Sequence, residues 1–155
     1  MEHVVDYKPR TEEPWTETTE QLALEWKKRA QELSTKHQQK GKENKIKNIV
    51  TGLPLLIIPA VFSPLSVALG NMENVQYINM TGFIVTGIFS AVHTFFAFNQ
   101  QYQKHIDYSA RYGDVSSDIE FEMARGKIYR MPHDEFLTRI QYKLDSLDQN
   151  APDLF

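Results

Sequence analysis

The sequence predicts an all-α membrane protein: a two-transmembrane helical hairpin with flanking cytoplasmic amphipathic helices that form a small bundle. Three observations predict it. In a chain of 155 residues that is 24% charged, residues 49–72 and 74–103 contain no Asp, Glu, Lys or Arg and are parted only by Glu73. Lysines crowd one flank of this region and are absent from its middle. Elsewhere apolar residues recur at helical spacing, and no stretch shows the alternation of a strand.

Residues 1–14, with Pro9, Pro14 and mixed charges, read as a flexible N-terminal arm. They lack the positive n-region and apolar h-region of a cleaved signal peptide, so the later apolar segments are expected to direct insertion. Residues 15–47 form a cytoplasmic amphipathic helix. Leu22, Trp26, Leu33 and His37 return on one side, with Lys27, Lys28 and Glu32 on others. Gly41 is a candidate break before the membrane.

The transmembrane hairpin occupies residues 48–103, with spans at about 49–70 and 78–99. A hydrocarbon core about 30 Å thick needs roughly 20 apolar helical residues, and each segment supplies them. The first span carries Pro54, Pro59 and Pro64. Each proline removes a backbone donor and crowds the carbonyl four residues earlier, which in lipid requires a neighbouring helix or local readjustment. Two readings fit: a kinked span packed on the second one, or a broken helix lining a pathway.

In the second span Asn79, Gly82, Thr86, Ser90, His93, Thr94, Ala97 and Gln101 share one face, and Ile84, Val85, Ile88, Val92, Phe95 and Phe96 lie opposite. Small residues on that face, with Gly87 beside it, let helix backbones approach closely. The face therefore either packs the hairpin or lines a pore between copies. His93 is the one titratable side chain inside the spans, near the cytoplasmic boundary. It serves as a hydrogen-bonded interfacial residue or as a working proton group.

Orientation follows from the lysines. Lys36, Lys40, Lys42, Lys45 and Lys47 stand against the single acid Glu43, and the turn from Gly70 to Tyr77 has no Lys or Arg. Lys104 and Arg111 follow the second span. Positive flanks stay on the cytoplasmic side, so both termini are expected there. The five lysines also form a membrane-surface basic cluster for anionic headgroups.

Residues 104–155 are read as cytoplasmic helices. The second span is expected to continue without interruption to about Arg125, with His105, Tyr108, Tyr112, Val115 and Ile119 along a packing seam. Gly126 and Met131-Pro132 mark a turn and a new helix, with Asp134 and Glu135 in its first turn. Phe136, Leu137, Ile140, Leu144 and Leu147 form the last apolar stripe, which ends before Asn150-Ala-Pro. The cytoplasmic seam is thus Trp26, Leu33, Tyr112, Val115, Ile119, Ile140 and Leu144, packed within one chain or between chains.

Composition narrows function. With no cysteine, thiolate catalysis and cysteine metal sites are excluded, as is lipidation through cysteine. A net charge of −3 and pI near 5.9 give no basic field for nucleic acid, and the mean hydropathy of −0.45 averages apolar spans with polar ends. No Gly-rich phosphate loop, Gly-x-Ser-x-Gly, His-Glu-x-x-His or potassium-filter sequence occurs. Arg111, Asp114, Asp118, Glu122 and Arg125 read as a solvated, salt-bridged face and not as a metal site. His3, His37 and His133 read as isolated. Asn79-Met80-Thr81 matches a glycosylation sequon at the mouth of a span, where glycan transfer has poor access. No enzyme, metal or cofactor is expected.

A helix with Trp26 leads into the hairpin, followed by Tyr102-Gln-Lys-His-Ile-Asp-Tyr-Ser-Ala-Arg-Tyr-Gly-Asp, then Ser117-Asp-Ile-Glu-Phe-Glu and a closing helix with Phe136-Leu and Ile140. Over roughly residues 20–150 this layout resembles the SLATT family of two-transmembrane proteins, in particular the stand-alone versions encoded by large DNA viruses of eukaryotes. The resemblance implies a homo-oligomeric membrane protein, in that family proposed to be a pore-forming effector. Family members in conflict systems work beside a sensor domain, for which a chain of this length has no room. A structural role therefore stands beside the effector role. The expectations are a membrane scaffold, as a component of a virion inner membrane or host endomembrane that contacts other membrane or virion proteins, or a homo-oligomeric channel-like pore.

Overall fold

The computed structural model describes residues 14–68, 70 and 74–154. Apart from Pro14, the N-terminal arm lies outside the described residues, as does Glu73. The described chain is all-α: α1 spans Glu17–Ala68, α2 Val75–Phe96, α3 Phe98–Ala124 and α4 His133–Asn150, with a single 3-10 turn at Lys127–Tyr129. Two stretches, in α1 and in the run of α2 with α3, are long and apolar enough to cross a membrane.

The helix boundaries follow local chemistry. Thr16 and Thr19 exchange side-chain and backbone hydrogen bonds at the start of α1, and Glu17 and Glu20 place negative charge where its first amides point. α4 begins after Pro132 and carries Asp134 and Glu135 in its first turn. It ends where Ala151 takes an extended conformation ahead of Pro152, satisfying the geometry that a following proline imposes.

Two boundaries differ from the sequence expectation. α1 does not break at Gly41 but runs through it and through Pro54, Pro59 and Pro64 over 52 residues. Gly41 is buried, and a Cβ there would lie 3.0 Å from the Ile106 side chain, so the missing side chain serves a close helix approach. Conversely, the run from the second apolar segment is not uninterrupted. Ala97 adopts a left-handed conformation (φ 44°, ψ 43°), its N–H bonds the His93 carbonyl, and α3 starts at the next residue. A non-glycine residue there costs about 1–2 kcal/mol, and no proline or glycine announces the junction.

The chain forms two compact units. The first joins the described residues up to Lys36 with Tyr108–Asp153. Its core is Ala23 and Ala30 of α1, Tyr112, Val115 and Ile119 of α3, and Phe136, Ile140 and Leu144 of α4, closed by Trp15. Ala23 and Ala30, rather than Leu22, meet the other helices; Leu22 lies towards solvent, and Trp26 and Leu33 are half-buried at the margin. Of the expected seam, Tyr112, Val115, Ile119, Ile140 and Leu144 lie in this core, with Trp26 and Leu33 against it.

The second unit is His37–Asp107, with Leu154. Along α1 its inward positions are His37, Gly41, Asn44, Asn48, Thr51 and Gly52, then Leu55, Ile58, Phe62 and Ser66. Spacings of three and four residues predominate, as along one face of a packed helix. Contacts run in opposite chain order: Phe62 meets Gly82, Gly52 meets His93, and Gly41 meets His105 and Ile106.

Candidate functional site

In the second unit the seam is polar at one end and hollow at the other. His37 and His105 are both buried and face each other through Nδ1 atoms 2.9 Å apart, with ring centroids separated by 5.2 Å. Burial, reinforced by the positive field of the other ring, holds His37 below the ordinary histidine range; burial and Lys40 do the same to His105. Farther along, the Thr51 hydroxyl donates to the Lys47 carbonyl at 2.8 Å and lies 3.1 Å from His93 Nδ1. With its proton engaged there, the hydroxyl is free to accept, so Nδ1 of His93 is the donor. Asn44 is buried beside this track, and Asn48 Oδ1 is, among the described residues, a buried side-chain oxygen without a hydrogen-bond partner.

Beyond Thr51, α1 and α2 line a partly open cavity of about 320 Å³. Ile58, Pro59 and Phe62 line one wall with Ser63 and Ser66, and Asn79, Gly82, Phe83 and Thr86 line the other. Ser66 and Thr86 donate their hydroxyl protons to the carbonyls of Ser63 and Gly82, both at 2.8 Å. These hydroxyls are thus satisfied within their own helices, as serine and threonine usually are among apolar surroundings.

The polar face of the second apolar segment divides. Asn79, Gly82, Thr86 and His93 turn towards α1, whereas Gly87, Ser90 and Thr94 are exposed, and a Cβ added at Gly87 would meet nothing within 4 Å. Val85, Phe89 and Val92, on or near the side read as lipid-facing, are half-buried instead. Asn79 of the sequon sits inside α2 at the cavity wall. Of the basic cluster, Lys36, Lys42, Lys45 and Lys47 are exposed and Lys40 is half-buried, with Lys45 lying 5.9 Å from the Tyr102 ring centre.

Several residues that organise the first unit gave no sequence signal. Trp15 donates its indole N–H to the Met131 carbonyl at 2.9 Å. Arg130 reaches the Arg125 and Met123 carbonyls and pairs with Glu20 at 2.6 Å. Lys127 and Arg130 hold the Glu20 carboxyl below its ordinary range. The acidic face of α3 is not uniformly solvated: Asp118 pairs with Lys143 at 2.6 Å, but Glu122 is buried, bonded to the Met131 N–H and 3.3 Å from Arg125. A buried carboxylate needs such partners, and they come from one turn farther along the chain and from the connection to α4. Among the described residues no three His, Asp or Glu side chains converge as metal ligands would.

No family model, curated protein or solved structure matches this chain.

The Tyr112 hydroxyl donates to Asp148 at 2.7 Å, and Arg29 joins the same carboxylate. Burial and this bond push the phenol well above the ordinary tyrosine range. Because the folded value is raised, this contribution is complete below about pH 10 and is lost as the pH rises through the folded value. Tyr112→Phe is expected to lower the stability of the unit by about 1 kcal/mol, since Asp148 keeps Arg29. Denaturant melts at neutral pH check the value, and alkaline titration at the tyrosinate band should lose its latest component in the variant.

Proposed function

We propose that the chain is a two-pass integral membrane protein, with the helices outside the bilayer forming a small cytoplasmic bundle, and that it serves as a non-conducting homo-oligomeric scaffold. One observation carries the membrane reading. The apolar windows of the two long segments are 0% and 6% buried within the chain, and Leu56, Val67, Phe83 and Phe95 are each at least 75% exposed. The core helix of a soluble protein would be covered by its own chain. Uncovered apolar surface over two such lengths needs lipid or other copies.

The lysine asymmetry orients the protein with both termini cytoplasmic. A virion inner membrane or host endomembrane is the location that accords with the SLATT resemblance. Apolar residues for contacts between copies, or with other membrane proteins, are available on the first unit at Phe121, Ile128, Tyr129 and Tyr142, all exposed. The seam of that unit is occupied internally, so association would use these outer faces.

A pore formed by several copies is the second reading, favoured by the open row Gly87, Ser90 and Thr94. Gly87→Leu separates the two. The scaffold reading expects an unchanged crosslinking ladder in membranes, whereas a pore lined by the second span should lose both its ladder and its ion flux in liposomes. The membrane reading is tested by alkaline extraction and by protease added to sealed right-side-out vesicles. The chain should stay in the pellet with both tails protected; release into the supernatant would remove the basis of the proposal, and digestion of either tail would reverse the orientation.

A further inference from the structure

His37 and His105 lie on different helices, 68 positions apart, and are 1% and 2% exposed. Their contact is held by a close approach: the would-be Cβ of Gly41, one turn after His37, falls 3.6 Å from the His105 side chain and 3.0 Å from that of Ile106. A distance of 2.9 Å between two ring nitrogens requires one hydrogen between them, with one imidazole donating and the other accepting. The contact survives with both rings neutral, and it survives with one ring protonated, because the charged ring is then the donor. With both rings protonated, two N–H groups point at each other without an acceptor, and two like charges share a buried site.

We infer that the His37–His105 contact is an acid-sensitive latch between α1 and α3, closed while at most one ring carries the extra proton and opened when both do. The charged side chains nearest to it along the two helices are Lys36 and Lys40 on α1 and Lys104 and Asp107 on α3; of these Lys40, half-buried, opposes protonation of His105. Both histidines are shifted downward from 6.5, so the latch contributes fully above that pH and is lost as the pH falls through the folded values. The inference rests on this contact and is independent of whether the protein conducts.

The absence of native cysteine permits a direct test on the full chain. Nitroxides attached through Q38C and Q103C, both exposed positions of this unit, report the separation of α1 and α3 by pulsed electron resonance in nanodiscs. Between about pH 8 and about pH 6.5 the distance distribution should be constant, and towards about pH 5 a longer population should replace it. In the His105→Phe background, which keeps a flat ring and cannot be protonated, the short distance should persist throughout. An unchanged distribution in the wild-type chain down to the lowest pH would overturn the latch, as would the same transition in His105→Phe. Should that variant fail to fold by circular dichroism, imidazole resonances of the wild-type chain decide: two rings that both become protonated while the distance stays short would refute it.

Discussion

Ile119→Asp is expected to unfold the unit that holds Ile119. This side chain is wholly buried among Val115 and Tyr112 of its own helix, the alanines of α1 and Phe136, Ile140 and Leu144 of α4. The substitution removes about 2–3 kcal/mol of apolar burial and places an unpaired carboxylate at the centre, a further penalty of several kcal/mol unless the core opens to hydrate it. A core of this size has a total stability of the same order. The helical signal of the tail and its resistance to protease should both collapse. Glu120→Lys, one residue away, supplies the control. Glu120 is largely exposed and pairs with Lys27 at 3.2 Å, so the change should cost under about 1 kcal/mol despite placing two lysines together. Normal protease resistance in Ile119→Asp would show that Ile119 does not sit in a packed core.

Gly82→Leu is the second large effect, and it falls on the other unit. A Cβ at this position would lie 2.7 Å from Phe62 Cδ1 and within 3.1 Å of two more ring atoms. A ring cannot bend, and it is held between the cavity and α2, so either α1 and α2 move apart or Phe62 leaves its rotamer. Overpacking of this kind costs about 1–3 kcal/mol. Introduced cysteines at Ser63 of α1 and Asn79 of α2, both lining the cavity, should crosslink less efficiently in the variant. Phe62→Ala in the same chain should restore part of the loss, because the obstacle is then gone. Crosslinking at the wild-type level in Gly82→Leu would show that these helices do not approach at Gly82.

Much of the helical layout was legible because it rests on local chemistry. The absence of charge over residues 49–72, the start of α4 after Pro132, its stripe of Phe136, Ile140 and Leu144, and the α3 seam through Tyr112, Val115 and Ile119 all follow from patterns within a few turns. The centre of the first core was less legible. Ala23 and Ala30 carry little hydrophobic signal, and only the approach of two other helices distinguishes them from any surface alanine. The same holds for His37, which in sequence has no neighbour to give it meaning and in the fold lies against His105. Glu122 looked like one acid of an exposed row until the connection to α4 brought the Met131 amide to it.

By itself, then, the sequence determined the class of the protein: all-helical, with two uncharged lengths that water does not suit and amphipathic segments around them. These are properties of single helices, set by side-chain hydrophobicity and by the 3.6-residue turn. Only the tertiary structure decided which residues of each helix face a neighbour. It placed Gly82 against Phe62 and left Gly87 open, joined His37 to His105 and His93 to Thr51, and interrupted the long run at Ala97 with a left-handed residue. The reason is that helix rotation and approach are fixed by contacts across many residues of chain, and the small or polar residues that permit those contacts look alike in sequence whether they are used or not.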